Sequence, residues 1–251
     1  MIFQLIGKSL AQNALLKTEL KGRTDEQKSI IKYFNKESGG CGGCLGGGLF
    51  GTKDKDFDNI LHSHIGKLNI YEMALQKLGV DESQIKEIDP ILLDGFFFDH
   101  PRFIGAASVA YALGDSVKAL DKMEIDPIGT YVKKGADGVY RFSKYKFSYL
   151  LFSIKQLYIY SYRFDLTNFR TYEETVEFFY KDIDSIRVIT KVNDRQIYGK
   201  GCLGFLDISY ETFTYPELQI TVPGASFSCS LKTENENTIL GLKNLIREKK
   251  G

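Results

Sequence analysis

The sequence lacks a dominant charge. Lys and Arg number 33, Asp and Glu 32, for a formal net charge of +1. No global field therefore draws the chain onto nucleic acid or an anionic bilayer, and only a local basic patch could do so. It also lacks an apolar run of the roughly 18–20 residues a membrane-spanning helix needs. The opening stretch "MIFQLIGKSLAQNALLKTELKG" is interrupted by Gln4, Lys8 and Gln12. With no basic segment before it and no small-residue cleavage site after it, it is not read as a signal peptide. Cysteine is scarce, at 4 residues, and two of them lie in one glycine-rich stretch. That is not a disulfide framework, and a reducing cytoplasm is the expected setting. Catalytic signatures are missing too: no serine elbow, no HExxH and no EF-hand loop. His100 neighbours Asp99, but no nucleophile accompanies them, and the chain is expected not to be an enzyme.

What is present suits a packed protein. Of 251 residues, 43% are hydrophobic and 26% charged, enough for one large domain or two small ones. Residues 1–88 carry helical spacing. Phe3, Ile6, Leu10 and Ala14 mark a first helix. Thr24 and Gln27 mark the capping box of a second over roughly 24–35. "DFDNILHSHI" reads as a third. "NIYEMALQKLGV" reads as a fourth, with Asn69 and Glu72 at its start and Gly79 at its left-handed end. "DESQIKEI" is a short fifth, stopped by Pro90. A connecting segment over 89–137 contains one buried strand, "ILLDGFFFD".

From roughly 138 the period becomes two. "KFSYLLFSI" and "LYIYSYRF" flank a hairpin turn, with Tyr158, Tyr160, Tyr162 and Phe164 on one face and Leu157 and Ile159 on the other. "ETVEFFYKDI", "DSIRVITKV", "LGFLDISY", "ELQITV" and "SFSCSL" follow as strands, with Cys229 pointing into the core. "TENENTILGLKNLIREKK" closes the chain as an amphipathic helix whose stripe is Ile239, Leu242, Leu245 and Ile246.

Residues 39–51, "GGCGGCLGGGLFG", raise the question of chemistry. Cys41 and Cys44, with His62 and His64 downstream, have the ligand types of a tetrahedral zinc site. The two histidines share a face only if their segment is extended. In a helix, positions two apart point about 200° from each other. A thiol-redox role for the Cys41/Cys44 pair needs a strand before Cys41, and none is legible. "GGGLFGTK" has phosphate-loop glycines, but Thr52 and Lys53 come in the wrong order. A flexible joint, or a tether whose Leu49 and Phe50 dip into a membrane, accounts for the same composition.

The string of short antiparallel strands ending in one helix, with "YLLFSIKQLYIYSYRF" followed by "ETVEFFYKDIDSIRV", resembles the bacterial pleckstrin-homology-like domains over roughly 138–250. The resemblance implies an antiparallel barrel or sandwich closed by the C-terminal helix. It also implies a binding platform rather than an enzyme, and a basic hairpin, here Arg141, Lys144 and Lys146, that would contact lipid headgroup phosphates. Lysine on a strand edge also simply blocks sheet-to-sheet pairing. The expectation is an α+β protein: a helical region at 1–88, a connecting segment at 89–137 and a pleckstrin-homology-like β domain at 138–251. Its expected role is a cytoplasmic binding or scaffold module with no cofactor. It would engage a protein or, peripherally, the inner membrane surface, and not nucleic acid. The alternative is a zinc or thiol-redox protein built on Cys41, Cys44, His62 and His64.

Overall fold

A computed structural model of the chain describes residues 20–35, 53–85, 88–99, 129–198, 208–232 and 236–250. Helix α1 spans Asp25–Asn35 and begins with the expected box: the Gln27 amide donates to Thr24 Oγ1 at 3.2 Å and the Thr24 amide to Gln27 Oε1 at 2.9 Å. Helix α2 spans Asp54–Gly66 and α3 Ile70–Leu78. Gly79 ends α3 at φ +63°, and the Val80 amide returns to the Leu75 carbonyl while Val80 itself is buried. Asn69 caps α3 without a side-chain hydrogen bond, so its expected box does not form. The short α4, Glu82–Ile85, completes this layer.

The strands are β1 (Ile91–Phe96), β2 (Val132–Lys134), β3 (Tyr140–Phe142), β4 (Lys144–Phe152), β5 (Gln156–Asp165), β6 (Thr171–Phe179), β7 (Ser185–Tyr198), β8 (Ile208–Val222) and β9 (Ala225–Ser230). All pairings are antiparallel. A four-stranded sheet has the order β1-β4-β5-β6, a three-stranded sheet the order β7-β8-β9, and β2 and β3 form a small hairpin. The chain closes with helix α5, Glu236–Lys250. The first strand of the large sheet thus comes from 91–96, inside the connecting segment.

Alternation on β4 and β5 explains the layering. Leu150, Phe152, Leu157 and Ile159 point one way, into a core shared with Leu218, Ile220, Phe227 and Cys229 of the second sheet and Ile239, Leu242 and Ile246 of α5. Phe147, Leu151, Tyr160, Tyr162 and Phe164 point the other way, into a second core with Ile30, Tyr33, Phe57 and Ala74 of the helices. The large sheet is therefore covered on both faces, which is why these strands read as nearly continuous apolar runs.

The expected strands "LGFLDISY" and "ELQITV" meet in one element, β8, which runs unbroken through Pro216. Proline is tolerated because the β8–β9 ladder ends at Glu217 and beyond it Pro216 contributes only its carbonyl, which accepts from the Leu231 amide at 2.9 Å. At one corner the two sheets touch: Ser230 Oγ donates to the Phe96 carbonyl, and a Cβ on Gly95 would lie 2.2 Å from the Ser230 carbonyl oxygen. Among the described residues neither large sheet closes into a barrel; β1 and β9 are the edges that meet at this corner, and β6 and β7 are the opposite edges.

Candidate interaction site

Cys41 and Cys44 lie outside the described residues, as do His100 and Cys202. Their proposed partners do not converge. "DFDNILHSHI" is helical, within α2; His62 is exposed, while the His64 ring packs 4.7 Å from Phe164 and 5.5 Å from Phe169. Burial holds the His64 pKa below its usual 6.5, an effect reinforced by Lys67 and opposed by Glu26. Lys53 stands at the N-cap of α2, where its amide donates to Asp56 at 3.1 Å. Cys229 is buried, and burial pushes its thiol up to about 11, far from the reactive thiolate range.

The basic hairpin is present as β2, β3 and the start of β4, but its three singled-out cations turn inward. Arg141 is buried and makes two bidentate pairs: with Asp58 of α2 at 2.8 and 2.7 Å, and with Asp137 at 3.0 and 2.9 Å. Lys144 is buried, with Asp99 at 4.0 Å. Lys146 is buried on the inner face of the large sheet, where Nζ donates to the Ser228 carbonyl at 2.7 Å and lies 4.8 Å from the centre of the Phe227 ring. Burial lowers the Lys146 pKa, helped by the Arg163 charge and opposed by Cys229, Glu174 and Glu217. Sequence alone placed these residues on a strand edge, as headgroup ligands or guards; the tertiary structure uses them as internal ties.

The exposed unpartnered backbone lies elsewhere. On β6 the odd positions face the helix side: Glu173 is 3.1 Å from Lys77 and accepts the Tyr160 hydroxyl at 2.9 Å, while Glu177 is exposed. Burial and Glu173 together raise the Tyr160 pKa. The even positions face the sandwich core, where Phe178 is buried and Val176 half-buried, with Tyr172 emerging to 55% exposure at the far end. Strand β7 repeats this division with opposite charge. Ile186 packs on the core, and Val188 and Val192 continue its face at 39% and 63% exposure. Arg187 and Lys191 lie on the other face, Arg187 donating to Gln219 at 3.0 Å and Lys191 3.5 Å from Glu217. Each of these strands is hydrogen-bonded to one neighbour only, β6 to β5 and β7 to β8, so the far side of each ladder is open among the described residues. Sequence reasoning passed over both edges. The alternation of "YEETVEF" and "IRVITKV" was visible, but nothing in a strand's own pattern tells whether it has one neighbour or two.

Comparison with protein-family models, with characterised proteins and with solved structures returns no match to this chain.

Proposed function

We propose that this chain is a non-catalytic protein-binding module on a pleckstrin-homology-like framework, acting in the cytoplasm. The observation that carries the reading is the pair of open strand edges, β6 and β7, on two packed sheets with a C-terminal helix against their shared core. An open ladder presents unpaired amides and carbonyls to an extended partner segment, and alternate side-chain positions supply selectivity. Support for the framework is the order of elements: strands β1, β4, β5 and β6 in one sheet, then β7, β8 and β9 in the other, then α5. The protein form is favoured over the lipid form because Arg141, Lys144 and Lys146 are buried against internal partners.

The test has two arms. Sedimentation with phosphatidylserine–phosphatidylcholine vesicles is expected to leave the protein in the supernatant. Panning a random-peptide library on the intact chain is expected to enrich extended, alternating peptides whose addition shifts the amide resonances of β6 or β7. Vesicle binding, or peptides that shift only resonances away from both edges, would overturn the reading.

A further inference from the structure

Alternation decides which residues of β7 an incoming strand would bond. In an antiparallel ladder a residue's amide and carbonyl point to one side of the strand, and those of its neighbours to the other. The Pro216 carbonyl accepts the Leu231 amide, so the even residues of β8 face β9 and its odd residues face β7. Odd residues of β8 stand opposite odd residues of β7, as Thr221 does Ser185 and Tyr215 does Lys191. The even residues of β7 therefore turn their amides and carbonyls to the open side: Ile186, Val188, Thr190, Val192 and Asp194.

A second copy of β7 can bond there only in a register that sets even against even. One such register places Val188 opposite Val192 of the other copy. A two-fold axis then passes through Thr190 and repeats the contact as Val192 opposite Val188. Val188, Thr190 and Val192 share one face and all three are exposed. The pairing covers each valine with a valine and brings the two Thr190 side chains together on the axis. On the other face Arg187 meets Asn193 and Ile189 meets Lys191, so no like charges stand directly opposite. At the ends Ile186 meets Asp194, whose carboxylate already accepts the Thr212 hydroxyl at 2.7 Å. The neighbouring two-fold registers are worse: one sets Arg187 opposite Lys191, and the other sets Lys191 against itself. Strand β6 offers its own copy nothing comparable, since full overlap there sets Glu173 opposite Glu177 twice.

We propose that two copies of this chain pair through their β7 edges, antiparallel about a two-fold axis at Thr190, with Val188 of each opposite Val192 of the other. The two β7-β8-β9 sheets then become one continuous sheet. The contact uses the same surface on both copies, so it closes at the dimer and leaves the β6 edge uncovered. This inference rests on the protein-binding reading and names the partner of one of its two edges.

The experiment is sedimentation velocity of the intact chain across a concentration series. A monomer–dimer equilibrium with no larger species is expected. Val188→Lys/Val192→Lys sets ammonium against ammonium at both contacts and is expected to weaken dimerisation at least roughly tenfold. Val188→Lys/Val192→Glu is as polar at the same positions but sets each cation opposite an anion of the other copy. It is expected to dimerise at least roughly tenfold more tightly than the first variant. Both positions are exposed, and circular dichroism checks that the variants fold. The wild type supplies a measurement that needs no variant. Amide exchange at Val188, Thr190 and Val192 is expected to slow at least roughly tenfold between dilute and concentrated protein. Wild type that stays monomeric, association that continues beyond the dimer, or exchange at these amides that is indifferent to concentration overturns the inference. So does a dimer that the first variant leaves intact, or equal weakening by two folded variants. The protein-binding reading is decided separately, by whether selected peptides shift the β6 or β7 amides.

Discussion

At the scale of single residues, the clearest result is the conversion of Arg141 from a candidate ligand into a tie. Its guanidinium joins α2, through Asp58, to the β2–β3 hairpin, through Asp137. Around it, the Tyr33 hydroxyl donates to Asp54 at 2.8 Å, the Ala136 amide to the same carboxylate at 2.8 Å, and Lys133 to the Tyr33 carbonyl at 3.0 Å. The hydrogen bonds from Arg141 hold the Asp137 pKa at about 2, below the ordinary 3.8. Burial alone would raise Asp54, but the amide of Ala136, the Tyr33 hydroxyl and the Arg141 and Lys133 charges outweigh it and lower the pKa. A carboxyl whose folded pKa is depressed binds its proton more readily in the unfolded chain. Its stabilising contribution is complete above about pH 4 and is lost as the pH falls through about 2. Arg141→Ala is therefore expected to lower stability near neutral pH, by less than the loss of a fully buried pair would because both carboxylates are partly hydrated. Urea denaturation of wild type and variant should show that difference shrinking as the pH falls from about 5 towards 2. A difference that is constant with pH would mean that Arg141 acts through packing alone.

At the scale of elements, the corner between β1 and β9 depends on a residue without a side chain. Gly95 has an ordinary backbone conformation, so its requirement is for space and not for an unusual φ. The obstacle to a Cβ is the Ser230 main chain, which cannot swing aside as a flexible side chain could. Gly95→Ala is expected to destabilise by roughly 1–3 kcal/mol, read as a lower urea midpoint. Gly224→Ala would test the opposite cause, since that turn glycine has open space around its Cβ position but φ +81°. A Gly95→Ala protein as stable as the wild type would show that β1 and β9 do not meet this closely. Several elements were legible beforehand for local reasons: the Thr24/Gln27 box, the left-handed Gly79 and the alternation that buries Cys229. The Asn69 box and the break expected within β8 were not realised, because a side-chain cap competes with water and strand continuity is set by the neighbouring strands.

At the scale of the whole molecule, β4 and β5 belong to two cores at once. Removing the helices would expose Phe147, Leu151, Tyr160, Tyr162 and Phe164 on one face of the large sheet. The helical layer and the sandwich are therefore expected to unfold together. The chain has no tryptophan and 15 tyrosines, several of them in these cores, so tyrosine fluorescence reports tertiary packing. Thermal or urea transitions followed by tyrosine fluorescence and by far-ultraviolet circular dichroism should superimpose. Two separated transitions would show that the helices form a unit of their own.

The division between sequence and tertiary structure follows from range. Periodicity, caps and turns are contacts within a few residues, and by these the sequence alone determined the succession of helices followed by strands and a final amphipathic helix. It also determined that Tyr160, Tyr162 and Phe164 share a face. It could not determine what covers that face, because the helices that do so are distant in the chain. The same holds for function. Arg141, Lys144 and Lys146 look like a free basic patch until Asp58, Asp99 and Ser228 are brought to them. The edges of β6 and β7 became candidates only once pairing assigned each strand a single neighbour. A backbone hydrogen bond satisfies any sequence equally well, so only the assembled sheet decides which ladder remains open.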